Sequence, residues 1–269
     1  MPPTRIRSLF ERLKGEGRAG LIAYITAGDP SPEYTARIVA ALERGGADLI
    51  ELGVPFSDPI ADGPVIQRGS DRALRAGTTV ARVLGIAREI RQSSQIPMVL
   101  FSYLNPLLRY GFERLAQDAL QAGVDGALLT DLSVEEAQRH VPALRSAGLD
   151  TIFLGAPTST PERLRMVAEY SSGFVYLVSR TGVTGERTSL SESVRPLVAS
   201  MRALTDLPVA VGFGISRTEH VAEVAQIADA AVVGSAFVRV IEENRNSPAL
   251  EQKMEEFARE LAAGLRRNT

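Results

Sequence analysis

Residues 49–64 read LIELGVPFSDPIADGP and combine a strand-like segment with an acidic loop. The apolar run at the start carries one carboxylate, Glu51, and the loop that follows carries Asp58 and Asp62 among prolines and glycines. A carboxylate is costly to bury unless a partner or a reaction uses it. Glu51 could simply pair with a basic side chain on a neighbouring strand, but two carboxylates in unlike environments are typical of acid–base catalysis. The density of Pro, Asp and Gly directly after the strand favours the catalytic interpretation.

Seven further apolar runs, bounded by Gly, Pro or Asp, recur along the chain. Each is rich in Val, Ile, Leu, Phe or Tyr and has the length of a strand. Most are continuously apolar rather than alternating, which is typical of parallel strands that are covered on both faces. Together with the run around Glu51, the predicted strands span residues 20–27, 47–56, 97–105, 126–132, 150–157, 173–180, 208–215 and 230–237.

Helical segments separate these strands. Gly-x-Asp turns at Gly46, Gly123 and Gly148 are typical of a helix that ends in glycine and leads into a strand. Cap residues predict where helices begin. The predicted starts are Ser31 or Pro32 for a helix to Arg44, a capping box of Ser133 and Glu136 for a helix to Ala147, Thr160-Pro161, and Ser216 or Thr218.

The alternation of predicted strands and helices indicates an α/β fold. We predict a (β/α)8 TIM barrel that forms a single domain over residues 1–269. Eight β/α units in about 250 residues fit this barrel. A doubly wound open sheet is the alternative, but it normally has five or six strands, and no Gly-x-Gly-x-x-Gly follows the first predicted strand.

The composition indicates an ordinary globular enzyme. The chain has 269 residues, of which 45% are hydrophobic and 23% charged, and its net charge of −2 gives no sign of binding to nucleic acid or to an anionic membrane. It has no cysteine, which excludes thiol catalysis and disulfides. No apolar run approaches the roughly 20 residues of a membrane span. Residues 1–14 have the spacing of an amphipathic helix rather than a signal peptide, so we expect a cytoplasmic protein.

In a barrel of this type the active site lies where the strands end. Glu51 shares a strand face with Leu49 and Gly53, so it would point into the barrel near the mouth. Its apolar surroundings should raise its pKa, which would let it give or take a proton near neutral pH. The other candidates at strand ends are Tyr24, Thr26, Tyr103, Asn105, Thr130, Asp131, Tyr176, Gly212 to Gly214, and Gly234-Ser235.

Two glycine-rich strand ends predict a phosphate site. Gly212, Phe213 and Gly214 follow the seventh predicted strand, and Gly234 and Ser235 follow the eighth. Glycine lets a ligand approach the backbone, and the N-terminus of the next helix offers free N–H groups to an anion. The glycines could instead serve only tight turns. The run 182–185 after the sixth strand could add donors or form a lid.

The remaining polar candidates are weaker. His140 and His220 are expected at the surface rather than in a site. With two histidines and no cysteine, a transition-metal site is not expected. Tyr103 and Tyr176 would either line a pocket or pack in the barrel.

These motifs resemble those of the tryptophan synthase α subunit family, and the resemblance extends over nearly the whole chain. Residues 49–64 are the most specific part of the resemblance. The other matching runs are Thr26-Ala27-Gly28-Asp29-Pro30, Tyr103-Leu104-Asn105-Pro106, residues 179–185, residues 211–215 and Gly234-Ser235-Ala236.

The resemblance implies a TIM barrel with an additional N-terminal helix, here Thr4 to Lys14. It implies retro-aldol cleavage of indole-3-glycerol phosphate to indole and glyceraldehyde 3-phosphate. It also implies a β subunit partner in an α2β2 heterotetramer, which receives indole through a tunnel and joins it to serine for L-tryptophan synthesis. No cofactor would be needed in this chain, because the indole ring is the electron sink, and pyridoxal phosphate is expected only in the β subunit.

The resemblance also assigns roles to residues. Glu51 would shuttle protons, and Asp62 would accept a hydrogen bond from the indole N–H. Asp58 would communicate with the β subunit, and Thr184 would be a lid residue that contacts the catalytic aspartate. The substrate pocket would include Tyr24, Tyr103 and Tyr176, and the phosphate would bind at Gly185, Gly212, Phe213, Gly214, Gly234 and Ser235.

Three alternatives remain open from the sequence. The chain could be a stand-alone lyase that releases free indole, a barrel kept mainly to activate a β subunit, or another phosphate-binding barrel such as a sugar-phosphate isomerase. The presence of Glu51 and Asp62 argues against the second, and the Pro-rich acidic loop against the third. Departures from the family pattern occur at Tyr24, Ser133 and 68–70. The loops 57–63 and 180–189 are expected to close over substrate.

Overall fold

The computed structural model describes residues 4–178, 194–212 and 214–267. Within these residues one parallel sheet runs in the order β5-β4-β3-β2-β1-β9-β8-β7-β6. The strands are β1 (Gly20–Thr26), β2 (Leu49–Gly53), β3 (Met98–Ser102), β4 (Gly126–Leu129), β5 (Asp150–Ile152), β6 (Leu154–Gly155), β7 (Val175–Val178), β8 (Val209–Gly212) and β9 (Ala230–Val233).

The predicted barrel is confirmed. The two edge strands of this order, β5 and β6, are parts of one predicted strand and are separated only by Phe153. The nine strands therefore correspond to the eight predicted ones. Nearly every strand residue is buried, which explains the continuously apolar runs, because core side chains fill the barrel on one face and helices cover the other.

Helices follow the strands around the outside of the barrel. In the described ranges they are α1 (Arg5–Glu16), α2 (Pro32–Arg44), α3 (Pro64–Arg75), α4 (Val80–Arg91), α5 (Leu104–Tyr110), α6 (Phe112–Gln121), α7 (Ala137–Ser146), α8 (Pro161–Tyr170), α9 (Val194–Arg202), α10 (Thr218–Ala225), α11 (Ser235–Asn244) and α12 (Leu250–Ala262). No helix among these residues is long and apolar enough to cross a membrane.

The additional N-terminal helix is present as α1 and closes one end of the barrel. Thr4 caps it by accepting a hydrogen bond from the Arg7 N–H, and the helix continues two residues beyond Lys14. Its apolar face packs against residues near the N-terminal ends of the strands in one buried cluster. The contacts in that cluster include Phe10 against the ring of Phe174, with centroids 5.8 Å apart. Helix α1 therefore fills the barrel at the N-terminal ends of the strands, which we call its lower end.

Aspartates at the start of three strands tie neighbouring strands together at this lower end. Asp48, Asp125 and Asp229 each precede a strand, and each accepts a hydrogen bond from a backbone N–H of the strand beside it. Each also pairs with two arginines. The arginine pairs are Arg12 and Arg18 for the first aspartate, Arg5 and Arg91 for the second, and Arg202 and Arg267 for the third.

The helix-to-strand turns follow the prediction. Gly46, Gly123 and Gly148 have φ values of 103°, 80° and 89°, a left-handed region that glycine adopts without strain. The predicted starts at Pro32, Pro161 and Thr218 are also observed.

Two local predictions are wrong. The expected capping box does not form, because residues from Val134 to Glu136 make a 3-10 turn and the Ser133 side chain caps nothing. His220 is not at the surface. It is 4% exposed, and its Nδ1 accepts a hydrogen bond from the Ser216 N–H across the start of α10.

Candidate active site

Glu51 lies in the middle of β2, beside Tyr24 of β1 and Val99 of β3 in the strand register. The residue is only 1% exposed, and its Oε1 atom has no hydrogen-bond partner in the described part of the chain. Burial without a compensating charge raises the pKa of Glu51 to about 8. At neutral pH this carboxyl is therefore mostly protonated and can donate a proton.

Asp62 lies at the end of the loop between β2 and α3 and is also buried. Burial raises the pKa of Asp62 to about 6, and a hydrogen bond from the Tyr103 hydroxyl partly opposes this rise. At neutral pH Asp62 is therefore mostly ionised. The two carboxyl groups have pKa values on opposite sides of pH 7, an arrangement that suits a pair of an acid and a base.

The loop that carries Asp62 is fixed at two points. The Tyr103 hydroxyl accepts a hydrogen bond from the Ala61 N–H at 2.9 Å, and the Gln67 side-chain amide donates to the Asp62 carbonyl oxygen at 2.8 Å. The rings of Phe56 and Tyr103 pack with centroids 5.2 Å apart. These contacts place the Asp62 carboxylate before any ligand binds.

Both carboxyl groups face one cavity at the C-terminal end of the strands. Its walls are mostly apolar and aromatic, and the rings of Tyr24 and Phe101 meet edge to face with centroids 4.9 Å apart. Such a cavity suits a flat aromatic ligand with a few polar groups. The lining residues are Tyr24, Glu51, Ala61, Asp62, Ile66, Phe101, Thr130, Leu154, Tyr176, Gly214, Ile215, Val232, Gly234 and Ser235.

Two tyrosines reach over glycines of the neighbouring strands. A Cβ atom on Gly53 would lie 2.5 Å from the hydroxyl of Tyr24, and one on Gly212 would lie 2.1 Å from the hydroxyl of Tyr176. Both distances are too short for any side chain, so these glycines make room for the tyrosines. Burial raises the pKa of both phenols well above the ordinary value, and both stay neutral at physiological pH.

One side of the cavity has the features of an anion site. Gly214 has a φ of 80° and lines the cavity beside Gly234 and Ser235. Helix α11 begins at Ser235, so the unpaired N–H groups of its first turn and the positive end of its dipole lie at the cavity. These features favour binding of a phosphate group there.

In the described ranges, no group of three or more His, Cys, Asp or Glu side chains is placed to hold a metal ion.

Comparison with known proteins identifies the family. The family model described as tryptophan synthase alpha chain matches residues 10–266. The tryptophan synthase alpha chain of Solibacter usitatus is 66% identical over 261 residues, which cover 97% of this chain and 98% of that one. The chain belongs to the tryptophan synthase alpha chain family. Alpha chains are lyases that catalyse the cleavage of indole-3-glycerol phosphate, one half-reaction of tryptophan synthesis.

Solved structures agree with this assignment. A structure of Mycobacterium tuberculosis tryptophan synthase has a TM-score of 0.91 and 39% identity, and the match covers 98% of this chain and 99% of that one. The tryptophan synthase subunit alpha of Legionella pneumophila has a TM-score of 0.90 and 36% identity, with 97% of this chain and 98% of that one covered. The family resemblance inferred from the motifs is therefore confirmed.

The structure brings most of the predicted site residues to the cavity of this alpha chain. Tyr24, Tyr176 and Thr130 line it together with the two carboxylates and the glycine-rich ends. Tyr103 and Gly212 are not in its wall. Tyr103 supports the Asp62 loop from behind, and Gly212 accommodates Tyr176.

Other predicted residues have different positions or lie outside the described residues. Asp131 accepts a hydrogen bond from the Leu104 N–H at 2.7 Å, which joins two loops. Asp58 is exposed on the loop before Asp62. Thr184, Gly185 and Phe213, together with the loop 180–189, are outside the described residues, so their predicted roles stay predictions.

The apolar walls of the cavity were not among the predicted site residues. Phe101, Ile66, Leu154 and Val232 carry no polar group that would single them out. The strand register could have found two of them, because Phe101 is paired with Gly53 and Leu154 with Tyr176 across adjacent strands. Register, however, follows from the closed barrel and not from either strand alone.

Proposed function

We propose that this chain cleaves indole-3-glycerol phosphate to indole and glyceraldehyde 3-phosphate by a retro-aldol reaction in which Glu51 and Asp62 are the catalytic residues. The observation that carries the proposal is the pair of carboxyl groups in one apolar cavity. Glu51 has a pKa of about 8 and no hydrogen-bond partner for Oε1 among the described residues, and Asp62 has a pKa of about 6.

In the proposed reaction, protonated Glu51 donates its proton to carbon 3 of the indole ring. The bond between this carbon and the side chain then breaks, and its electron pair returns to the ring, which restores aromaticity. The hydroxyl on the adjacent side-chain carbon becomes the aldehyde of glyceraldehyde 3-phosphate, and its proton passes to the Glu51 carboxylate. Glu51 is thus regenerated, and no external oxidant, reductant or proton is consumed.

Asp62 has a different part in this proposal. Protonation of carbon 3 places positive charge on the ring, which is delocalised to the indole nitrogen. An ionised Asp62 that accepts a hydrogen bond from the indole N–H would stabilise that charge as it develops. Its fixed loop supports the role, because Tyr103 contacts the carboxylate and Gln67 holds the Asp62 backbone carbonyl, so the group needs little reorganisation during the reaction.

The phosphate group of the substrate is proposed to bind at the first turn of α11. Gly214, Gly234 and Ser235 line this end of the cavity and support the proposal. Gly212 would contribute its backbone next to Gly214. The contributions of Gly185 and Phe213, and a lid role for Thr184, rest on the resemblance to the family.

We further propose that a β subunit binds over the loop between β2 and α3 in a cytoplasmic α2β2 heterotetramer. The family is that of a subunit of the tryptophan synthase complex. Ile60 supports the location, because it is 81% exposed at the tip of this loop, where an apolar side chain gains by being covered. Asp58 lies two residues away and would report β-subunit binding to Asp62. Pyridoxal phosphate belongs to the β subunit.

The first test is indole release from indole-3-glycerol phosphate by the purified chain, with and without a tryptophan synthase β subunit. The proposal expects slow release that rises sharply with the partner. Fast release that no β subunit changes would instead indicate a stand-alone lyase. Absence of release under both conditions would contradict the proposed reaction.

A matched pair of variants separates chemistry from partner binding. Glu51→Gln should reduce release by about 10²-fold or more with or without the β subunit, whereas Ile60→Ser should leave basal release unchanged and reduce the stimulation. If Ile60→Ser is stimulated to the same extent at the same β-subunit concentration, the proposed docking site is wrong.

A further inference from the structure

Three segments of the chain meet at the guanidinium group of Arg72. Its Nε and Nη2 donate to the two carboxylate oxygens of Asp29 at 2.7 and 2.8 Å, and its Nη1 donates to Glu242 at 2.8 Å. Arg72 is on α3, Asp29 is in the loop after β1, and Glu242 is on α11. The guanidinium group therefore links three elements that are far apart in sequence.

This link is shielded from water. The side chains of Arg72 and Glu242 are each 18% exposed, and that of Asp29 is fully covered. Arg68, one helical turn before Arg72, adds an outer link from α3 to α11 through two hydrogen bonds of 2.7 Å to the Glu242 carboxylate, whereas Arg72 alone also reaches Asp29. Planar bidentate pairs of this kind fix orientation as well as distance. The geometry of the three segments is therefore well defined.

Close packing at Gly69 holds α3 against the same elements. A Cβ atom at Gly69 would lie 3.0 Å from a methyl carbon of Val238 on α11 and 3.1 Å from the Asp29 carboxylate. It would also lie 3.2 Å from the hydroxyl oxygen of Thr26 at the end of β1. At Gly69 the backbone of α3 thus packs directly against side chains of β1, the loop after it and α11, three residues before Arg72.

The two linked helices both begin at the edge of the cavity. Helix α3 begins at Pro64, two residues after Asp62, and α11 begins at Ser235. At about 1.5 Å per residue, Arg72 lies roughly 12 Å along α3 from its start and Glu242 roughly 10 Å along α11. A tilt of about 10° at the link would therefore move either helix start by about 2 Å, and misplacement by 1 Å can cost about 10²-fold in rate.

We propose that Arg72 is a positioning residue that fixes the Asp62 carboxylate relative to the N-terminus of α11. It would thereby set the distance between the two positions at which the ends of the substrate bind. This inference rests on the proposed function, because it takes the phosphate to bind at α11 and the indole N–H to bind at Asp62. It goes beyond that function by assigning the spacing of the site to a residue outside the cavity.

A merely structural role for Arg72 makes a different prediction. Loss of general stability would weaken every ligand alike, whereas loss of spacing should affect only a ligand that spans both ends. Inorganic phosphate reaches the α11 end alone, and indole-3-glycerol phosphate reaches both. The ratio of the two affinities therefore separates the two roles.

The test compares four variants of the full chain: Arg72→Met, Glu242→Gln, the double variant of Asp29→Asn with Arg72→Met, and Arg75→Met. Glu242→Gln weakens the link to α11 but keeps the buried pair with Asp29. The double variant avoids leaving the buried Asp29 carboxylate without its cation, so it keeps the test informative if Arg72→Met does not fold. Arg75→Met is the matched control, because Arg75 is on the same helix in an exposed pair with Asp71.

For Arg72→Met, Glu242→Gln and the double variant, we expect the KM for indole-3-glycerol phosphate to rise about tenfold and kcat to fall several-fold, at temperatures where each variant is folded. The inhibition constant of inorganic phosphate should change less than about twofold. Arg75→Met should have the same KM, the same kcat and the same inhibition constant for phosphate as the parent chain. A parallel loss of phosphate and substrate affinity would overturn the proposal.

A second readout does not depend on catalysis. The pKa of Asp62, followed by carboxyl carbon NMR and assigned with Asp62→Asn, should fall by at least about half a unit when the link is cut, because a looser loop admits water to the carboxylate. Amides at the start of α3 should also exchange faster with solvent. If the parent chain cleaves no substrate, the proposed function fails while this readout still tests the link. Unchanged Asp62 titration and unchanged exchange would overturn the proposal whatever the activity.

Discussion

The two ends of the barrel use carboxylates in opposite ways. At the lower end Asp48, Asp125 and Asp229 each accept a backbone N–H and pair with arginines. At the upper end Glu51 has no partner for one oxygen among the described residues, and Asp62 has a single phenol hydroxyl against its carboxylate. The lower carboxylates stabilise the fold, whereas the upper ones remain available for a ligand.

The contrast is sharpest within one segment. Asp48 and Glu51 are three residues apart, yet Arg18 holds the first through two hydrogen bonds of 2.7 and 2.8 Å. The second is surrounded by apolar strand residues and carries a raised pKa. In this segment the carboxylate before the strand is paired with arginine, whereas the one in the middle of the strand remains available for chemistry.

The largest expected effect is on catalysis at the upper end. Glu51→Gln keeps the shape of the side chain but cannot transfer a proton, so cleavage should fall by about 10²- to 10⁴-fold. The measurement is single-turnover release of indole at pH 7 with the enzyme in excess over the substrate. Turnover close to that of the parent chain would remove Glu51 from the mechanism.

A smaller, thermodynamic effect is expected at the lower end. Asp48→Ala removes the acceptor of the buried Leu21 N–H and of two Arg18 hydrogen bonds, so the free energy of unfolding should fall by about 2 to 4 kcal/mol. Urea unfolding measures this loss. Activity per folded molecule should be kept, and a variant that lost activity at full stability would contradict the division between the two ends.

The pH dependence of kcat/KM should show both upper carboxyl groups. Asp62 must be ionised, so activity should fall as the pH drops below about 6, and Glu51 must be protonated, so activity should fall as the pH rises above about 8. Each limb should approach about tenfold per pH unit. In Asp62→Asn the residual activity should no longer fall as the pH drops below about 6. If that fall persists, it comes from the titration of another group.

The smallest expected effect is a gain in stability when Glu51 is neutralised. Its pKa is about 8 in the folded chain, well above the ordinary value of 4.5, so between these pH values the unfolded chain releases a proton that the folded chain keeps. Stability is therefore lost as the pH rises through this range. Glu51→Gln should avoid the loss and raise the free energy of unfolding by at least about 1 kcal/mol at pH 8.5.

The control for this last prediction is acidic pH. At pH 4 Glu51 is mostly protonated in the folded and in the unfolded parent chain. The parent chain and Glu51→Gln should therefore differ little in their free energy of unfolding at this pH. Equal stabilities at both pH values would mean that Glu51 is less strongly desolvated than its burial indicates.

The barrel and the acidic pair were predictable because their signals are local. Strand length, apolar continuity and glycine turns each depend on a few adjacent residues, and Glu51 stands out within a single strand. The capping box at Ser133 shows the limit of local rules. The chain forms a 3-10 turn there, and the Ser133 side chain accepts no hydrogen bond from a backbone N–H of that turn. His220 became buried because α10 packs its first turn inward.

The support of the site was not predictable in the same way. Arg72 meets Asp29 across 43 residues and Glu242 across 170. The reach of Tyr176 over Gly212 likewise depends on the pairing of β7 with β8. Such contacts arise from closure of the barrel, and a single sequence carries no pattern that pairs residues so far apart.

The closed lower end restricts the side by which ligands enter and leave the cavity. Because α1 and the filled barrel interior block that end, the described residues leave the cavity no second opening along the barrel axis. Both products must then leave on the side from which the substrate arrived. A product that remains bound near the opening would hold back the other, so the rate of turnover depends on what covers the upper face as well as on the chemistry beneath it.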